Sequence, residues 1–319
     1  MENKIGIDVE KAVSLLKINE IVAIPTETVY GLAGNGLSTD AILKIFEAKN
    51  RPFFDPLILH FHSISQIENY VSFFPEKLKK IATHFWPGPL TLLLPKNEKI
   101  NDLVTSGLDR VGVRIPNHSL TLSLLSKLDF PLAAPSANPF GYISPTKATH
   151  VADQLYDKVS YILDGGETNI GIESTIVGIE NDEVIIYRLG GISVEDIENV
   201  IGKTTLKINK SSNPSAPGML LSHYAPRKPL FLLEVNNIAH FDTSKKFGLL
   251  TFSEKYTFEN CVKNIVLSTK ADDKEAAKNL FAALRELDAE NIDCIYAEKL
   301  PTKNLGKAIN DRLERASAK

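Results

Sequence analysis

The stretch GIESTIVGIENDEVIIYRLGG, residues 171–191, contains two apolar runs, STIVGI and EVIIYRL, that are typical of β-strands. Only a few residues join them. A connection this short predicts a β-hairpin, because parallel strands need a long crossover between them. We therefore expect a mixed sheet rather than an all-parallel one.

The sequence before this hairpin alternates helical and extended patterns. Apolar residues at helical spacing predict a helix over 9–18, and Thr39 or Asp40 is expected to cap a second helix that runs through Ala48. Short apolar runs predict further strands at 21–24, 57–62, 90–94 and 111–115. The alternation predicts a mixed α/β catalytic domain over residues 1–205.

A change of composition follows this domain. Residues 206–229 contain four basic and no acidic side chains and are rich in Ser, Pro and Gly, which is typical of a linker. The segment can be a solvated tether, but its large side chains, among them Met219 and Tyr224, favour a lid over a site. Extended runs and two long helical patterns after it predict a small, open βαβ domain over 230–319.

Composition excludes several classes of protein. The chain has 319 residues, 43% of them hydrophobic, and a net charge of −3, so it is neither disordered nor strongly basic overall. No apolar run approaches the roughly 18 residues of a membrane span. The two cysteines, Cys261 and Cys294, are too few for a disulfide framework and too far apart for a structural zinc site. The N-terminus is unlike an export signal, so we expect a cytoplasmic protein that does not associate with a membrane.

Nucleotide-binding motifs of the common kinds are missing. The sequence contains neither a GxxxxGK[ST] phosphate loop nor a strand-linked GxGxxG. Instead, polar loops adjoin the apolar runs, and loops at the ends of sheets are where binding sites are usually built. Six such loops occur: PTETVYGLAGNG at 25–36, KNRPFFDPLILHFH at 49–62, DRVGVRIP at 109–116, APSANPFGYISPT at 134–146, GIESTIV at 171–177 and YRLGG at 187–191.

Five cations lie in or beside these loops. Lys49 and Arg51 can simply be solvated charges at a helix end, or they can form an anion clamp. Arg110 and Arg114 are four residues apart, and in a strand this spacing places both on one face. Together with Arg188 they could surround a triphosphate and a second anion, although one or two of them can equally lie on the surface.

The remaining polar candidates are weak when taken singly. His60 and His62 share a strand face, but no third ligand stands at a metal-binding spacing, so a substrate-facing His60 is the better interpretation. Ser and Asn residues in turns commonly bond their own backbone. Ser136 and Ser174 also lack the GxSxG motif of an acyl-enzyme nucleophile.

Taken in order, these motifs resemble one family. PTETVYGL, KNRPFFDPL, DRVGVRIP, APSAN and ESTIV are similar to the motifs of the YrdC-like threonylcarbamoyl-AMP synthases. SAPGMLLSHYAP at 215–226 and GKAINDRLERA at 306–316 resemble the longer, two-domain branch of that family. The resemblance covers essentially the whole chain.

The resemblance implies a fold and an activity. The fold would be a twisted, mixed and mostly antiparallel sheet with surrounding helices and a central cationic cavity, followed by a small Rossmann-like domain. The enzyme would join L-threonine, bicarbonate or CO2, and ATP into L-threonylcarbamoyl-AMP and pyrophosphate. A separate transferase complex would then pass the threonylcarbamoyl group to tRNA. Mg²⁺ would accompany ATP, and no organic cofactor or protein-held metal is implied.

The same resemblance assigns roles to residues. L-Threonine would be held by Thr28, His60, Arg114 and Ser174, and Lys49 and Arg51 would be catalytic. ATP would contact Arg51, Asp55, Arg110, Ala134, Ser136, Asn138, Ser144 and Arg188, with Tyr224 of the linker covering the nucleotide. Asp55 stands where relatives often carry Asn or another polar residue.

Two other functions compete with this one. An RNA-binding module would suit the basic linker, and weak tRNA contact is possible, but residues 1–205 carry a charge of −7 and no RNP-like aromatic run. Related domains also form carbamoyl-adenylate from carbamoyl phosphate. Those proteins carry zinc-finger or transferase modules that this chain lacks.

Overall fold

The computed structural model describes residues 4–208, 222–234, 242 and 244–318. Fifteen strands and ten α-helices lie within these ranges. The strands β1 to β15 are Ile5–Gly6, Val22–Ile24, Gly31–Asn35, Ile58–His60, Leu90–Pro95, Arg110–Arg114, Leu132–Ala133, Tyr161–Leu163, Thr175–Glu180, Glu183–Arg188, Thr205–Leu206, Leu230–Leu233, Phe247–Thr251, Cys261–Val266 and Cys294–Glu298. The helices α1 to α10 are Val9–Lys17, Thr39–Lys49, Ile64–Glu68, Glu76–Phe85, Asp102–Thr105, Ser119–Leu125, Ala148–Leu155, Val194–Ile201, Asp273–Ala289 and Gly306–Ser317.

Strands β1 to β11 form one mixed sheet in the order β1-β8-β2-β3-β7-β4-β6-β5-β9-β10-β11. The predicted hairpin is confirmed: β9 and β10 pair antiparallel, with Glu180 opposite Glu183. Antiparallel pairs account for more of the paired residues than parallel pairs do. The predicted mixed α/β architecture is therefore confirmed.

Helices α1 and α2 confirm the helical patterns near the N-terminus, with one correction. Helix α2 begins at Thr39, and its N-cap is Ser38 rather than Thr39 or Asp40. Ser38 has an extended backbone, and its hydroxyl accepts the Ala41 N–H at 3.4 Å, whereas Thr39 and Asp40 are already helical. A cap must lie outside the helix, and this condition decides between neighbouring candidates.

Strands β12 to β15 form a second sheet, in the order β12-β15-β13-β14. Every pairing in it is parallel, as predicted for an open βαβ unit. Helix α9 buries an apolar stripe that includes Ala277, Leu280, Phe281, Leu284 and Leu287. We call residues 4–208 the N-terminal part and residues 222–318, as far as they are described, the C-terminal part.

The two parts share one core. The largest buried apolar cluster includes Ile143 of the N-terminal part together with Tyr224 and Phe281 of the C-terminal part. Helix α9 comes so close to the loop before β9 that a Cβ on Gly171 would collide with the carbonyl oxygen of Lys278. Gly171 also has a φ of +79°, which glycine adopts without strain. The C-terminal part therefore packs directly against one of the six polar loops.

Among the residues that the structure describes, no helix combines the length and the apolar character that crossing a membrane requires.

Candidate active site

A pocket opens at the ends of the central strands of the large sheet. Its empty volume is about 600 Å³, part of which is open solvent. Nine of the fourteen residues predicted for the site line this pocket: Thr28, Arg51, His60, Arg114, Ala134, Ser136, Ser174, Arg188 and Tyr224. The structure thus brings together loops that are as much as 196 positions apart, from Thr28 to Tyr224.

Strand pairing brings two of these residues together. Strands β4 and β6 are parallel, and their register places His60 opposite Arg114. Both side chains are buried and both line the pocket. The sheet therefore holds an imidazole and a guanidinium on one wall without help from a flexible loop.

The loop before β3 is held by a threonine side chain. The Thr26 hydroxyl accepts the N–H groups of Thr28 and Val29 at 3.1 and 3.2 Å and donates to the Val29 carbonyl oxygen at 2.6 Å. It also lies 2.8 Å from the Thr28 hydroxyl. Thr26 thereby fixes the turn that presents Thr28 to the pocket.

Arg114 has an acidic neighbour that the sequence did not single out. Its Nη2 lies 2.8 Å from Oε1 of Glu27, and both side chains are only 5% exposed. A buried charge needs a partner of this kind, because desolvating it alone costs several kcal/mol. Glu27 therefore offsets the cost of burying the Arg114 guanidinium and helps to orient it at the pocket.

His60 is neutral in this environment. Burial, and then the positive charge of Arg114, lower the pKa of His60 from 6.5 to about 3. Its Nδ1 lies 3.3 Å from the carbonyl oxygen of Ile58. An imidazole in this state can offer a hydrogen bond, but it carries no charge at neutral pH.

We expect acid to destabilise the protein through His60. The unfolded chain binds a proton at His60 near pH 6.5 and the folded chain does not, so stability falls as the pH drops from about 6.5 toward 3. Between pH 7 and pH 5 this amounts to about 2 kcal/mol. Urea unfolding at both pH values should show a smaller loss for His60→Gln than for the wild type, and equal losses would contradict the prediction.

Arg51 lies at another edge of the pocket, held by the loop that follows α2. Its Nε donates to the Asp55 carbonyl oxygen at 3.0 Å, and its Nη2 donates to the Pro56 carbonyl oxygen at 2.7 Å. The same Nη2 lies 2.9 Å from Oδ2 of Asp55. Asp55 itself is fully buried and does not line the pocket, so it orients Arg51 rather than facing a ligand.

Arg188 and Ser174 form a pair at the open end of the hairpin, where β10 ends and β9 begins. The Arg188 Nη2 donates to the Ser174 carbonyl oxygen at 2.9 Å and to the Ser174 hydroxyl oxygen at 3.0 Å. The Ser174 hydroxyl also lies 2.7 Å from that of Thr91. The strand register shifts between Ile186 and Arg188, and irregularities of this kind re-aim side chains.

Lys49 is buried behind the pocket rather than lining it. Its ammonium group donates to the carbonyl oxygens of Ser136 and Asn138, each at 2.6 Å. Burial, and then the charge of Arg51, lower its pKa well below the ordinary value. In the structure, Lys49 therefore stabilises the loop that carries Ser136.

Arg110 lies away from the pocket. Its Nη1 donates to the Tyr187 hydroxyl at 2.8 Å, and its Nη2 lies 3.7 Å from Oε1 of Glu180. Arg110 and Arg114 do stand at the two ends of β6, but four residues of strand separate their Cα atoms by roughly 13 Å. Arg110 and Arg114 can therefore share a face of β6 while only Arg114 reaches the pocket.

Asn138 and Ser144 also belong to the wall. The Asn138 amide donates to the carbonyl oxygens of Pro139 and Tyr142 at 2.8 and 2.9 Å. The Ser144 hydroxyl donates to Oε1 of Glu173 at 2.7 Å. Neither residue lines the pocket, so both shape its loops from behind.

The pocket also contains residues that the sequence did not point to. Thr26, Glu173 and His223 line it, and Glu27 lies beside it, paired with Arg114. Each stands within or beside a motif already quoted, so proximity in sequence was the available signal. Residues 209–221, which include most of the predicted linker and Met219, lie outside the described residues.

Fold and pocket together define a class: an α/β protein with a cationic small-molecule pocket that a second part of the chain helps to close. A protein-family model for Sua5, YciO and YrdC, described as "Telomere recombination", matches residues 14–190. A second, described as "Threonylcarbamoyl-AMP synthase, C-terminal domain", matches residues 192–318. The chain belongs to the Sua5–YciO–YrdC family, in its two-domain form.

Similar proteins include two named threonylcarbamoyl-AMP synthase. The one from Bacillus subtilis is 42% identical, over 97% of this chain and 92% of its own length. The one from Pyrococcus abyssi is 41% identical, over 96% and 93%. The crystal structure of P. abyssi Sua5 complexed with L-threonine superposes with a TM-score of 0.91 at 40% identity, covering 97% of this chain and 94% of that one.

Proposed function

We propose that this protein is an L-threonylcarbamoyl-AMP synthase, which condenses L-threonine, bicarbonate or CO2, and ATP and releases pyrophosphate. The observation that carries the proposal is the convergence of Arg51, Arg114 and Arg188 on one pocket that also holds Thr28 and His60. The names of the two full-length relatives support the activity, and the threonine complex of the P. abyssi protein supports the amino-acid substrate.

We propose that the pocket has one subsite for each of the two substrates. We assign L-threonine to Thr28, His60, Arg114 and Ser174, with the Arg114 guanidinium on its carboxylate. We assign ATP to Arg51, Ala134, Ser136, Arg188 and Tyr224. Lys49, Asp55, Asn138 and Ser144 support these walls from behind, and we no longer assign ATP contact to Arg110.

Charge neutralisation is the main catalytic device in this mechanism. The threonine amine and CO2 form a carbamate with loss of one proton, and a carbamate oxygen then attacks the α-phosphorus of ATP as pyrophosphate leaves. Both reactants are anions, so they repel one another until guanidinium groups screen their charges. Holding them in one pocket also removes the entropy cost of their encounter.

The neutral His60 has a limited part in this reaction. With a pKa of about 3, it is too weak a base to retain the proton that the amine releases at neutral pH. We therefore give His60 a positioning role toward threonine, and the proton leaves to water.

Mg²⁺ would enter with the nucleotide. Of the described residues, Glu173 is the carboxylate that lines the pocket, and both of its oxygens are already engaged by Ser144 and Arg312. This donor set suits an ion held mainly by phosphate oxygens and water, as Mg²⁺ usually is with nucleotides. When bound, Mg²⁺ would neutralise part of the triphosphate charge.

A direct assay tests the proposal. Incubating the protein with ATP, Mg²⁺, labelled bicarbonate and one amino acid at a time should yield a labelled adenylate, detected by mass, with L-threonine far better than L-valine. L-Valine lacks the side-chain hydroxyl of L-threonine. A site that hydrogen-bonds this hydroxyl leaves its own polar groups unpaired when L-valine binds, and this cost favours L-threonine. Product formed only from carbamoyl phosphate, or salt-dependent tRNA binding without ATP turnover, would instead support one of the two rival functions.

The wider setting is part of the same proposal. We infer that a separate transferase complex consumes the adenylate and modifies tRNA in the cytoplasm, with at most weak direct tRNA contact by this chain. We also keep the division into a catalytic domain at 1–205, a linker at 206–229 and an accessory domain at 230–319.

A further inference from the structure

The motif GKAINDRLERA at the end of the chain forms α10, and its Arg312 is completely buried where the two parts of the chain meet. The Arg312 Nε donates to Oε2 of Glu173 at 3.1 Å. The central carbon of its guanidinium lies 5.5 Å from the centre of the Tyr224 ring. One side chain of the C-terminal part thus contacts two residues that line the pocket.

Tyr224 is held largely by the C-terminal part. Its ring stacks on Phe281 of α9, with centroids 5.4 Å apart and planes 30° apart, in addition to the Arg312 contact. It is only 1% exposed and has a φ of +63°, an unusual value for a residue other than glycine. A backbone in this conformation persists only where surrounding contacts hold it. Here α9 and α10 supply such contacts, and the Gly141 carbonyl oxygen accepts the Ala225 N–H at 2.8 Å.

Arg312 is itself firmly anchored. The other oxygen of Glu173 accepts the Ser144 hydroxyl at 2.7 Å, and Arg312 Nη1 donates to Asp311 at 3.1 Å. Asp311 also pairs with Arg315 at 3.0 Å, and the Arg315 carbonyl oxygen accepts the N–H of His223 at 3.2 Å. The C-terminal half of α10 therefore contacts both the pocket wall, at Glu173, and the backbone beside Tyr224.

We propose that Arg312 is a positioning residue of the pocket: anchored on Glu173, it holds the Tyr224 ring in place over the nucleotide subsite. The accessory domain thereby completes the binding site rather than merely following it in the chain. The inference rests on the proposed function for the identity of the nucleotide. A desolvated guanidinium over an aromatic ring is strong enough to change ligand affinity by about tenfold.

A double-mutant cycle on the full chain tests this role. Calorimetric titration with a non-hydrolysable ATP analogue should show about tenfold weaker binding for Arg312→Met, with kcat at saturating ATP within about threefold of the wild type. In a Tyr224→Ala background, the same change should weaken binding less than about twofold, because Arg312 then has no ring to hold. A merely structural Arg312 would weaken binding equally in both backgrounds, which would overturn the proposal, as would unchanged binding in the single variant.

Lys307→Met is the matched control. Lys307 lies on the same helix and also bridges the two parts, with its Nζ 2.6 Å from Oε1 of Glu195, but neither residue lines the pocket. Its analogue affinity should equal that of the wild type. If Arg312→Met does not fold, Arg312→Lys replaces it: the charge beside Glu173 remains and the planar guanidinium is lost, so binding should still weaken, and only when Tyr224 is present.

The titration separates this inference from the proposed function. Wild-type protein that binds the analogue but forms no adenylate would refute the activity and still report on Arg312. Wild-type protein that does not bind the analogue would overturn both.

Discussion

Arg51→Ala is expected to lower adenylate formation by at least about 100-fold, the loss typical when one preorganised charged or hydrogen-bonding group is removed from a reaction centre. The Arg51 side chain is 5% exposed, lines the pocket and is fixed by Asp55 and Pro56. A group held in this way needs no reorganisation when the triphosphate arrives. The rate should be measured at saturating ATP and threonine by mass detection of the adenylate.

Two further variants make this result interpretable. Arg51→Lys keeps the charge and so keeps Asp55 paired, but it lacks the planar fork that binds phosphate at two points, and we expect at least a tenfold loss. Arg110→Ala is the matched control, because Arg110 contacts Tyr187 and Glu180 outside the pocket, and its activity should stay within about twofold of the wild type. Full activity of Arg51→Lys, or equal losses of activity in Arg51→Ala and Arg110→Ala, would contradict the assignment of Arg51 to the ATP site.

The sequence predicted this architecture well where local chemistry decides it. The short connection at 171–191 required a hairpin, and the structure has one. The β-branched and apolar runs became strands because a half-buried sheet suits them. The polar loops between them became the pocket, since loop backbone cannot be buried cheaply and collects at the ends of the sheet.

The predicted site residues that do not line the pocket share one physical explanation. A sequence shows that a side chain is polar, but not whether it faces the cavity or the protein behind it. Lys49 was expected to be catalytic and Asn138 to contact ATP, yet both donate to backbone carbonyl oxygens behind the pocket. The resemblance assigned Arg110 to ATP, but Arg110 and Arg114 stand at opposite ends of β6, and of the two only Arg114 lines the pocket.

Contacts between distant segments were beyond sequence reasoning altogether. Glu173 and Arg312 are 139 residues apart, and their ion pair exists only because α10 docks on the loop before β9. Nothing in the spacing of GKAINDRLERA indicates which loop it will meet. The family resemblance marked the motif, and the structure supplies its contacts.

Glu27→Ala is expected to destabilise the fold by about 3–5 kcal/mol, because it leaves the Arg114 guanidinium buried without its carboxylate. Both side chains are 5% exposed, so solvent cannot substitute for the lost partner. Urea unfolding at pH 7 would measure the loss. A cost below about 1 kcal/mol would mean that the pair behaves like an exposed one.

Removing both charges separates stability from binding. Glu27→Gln combined with Arg114→Met should be more stable than Glu27→Ala, since no uncompensated charge remains in the pocket wall. It should nevertheless bind threonine at least about tenfold more weakly, because the carboxylate of the amino acid has lost its guanidinium. ATP affinity should be unchanged, since Arg51, Arg188 and Tyr224 are intact. A double variant that is folded and binds threonine normally would show that Arg114 serves the fold alone, and the assignment of the two subsites would have to be reversed or abandoned.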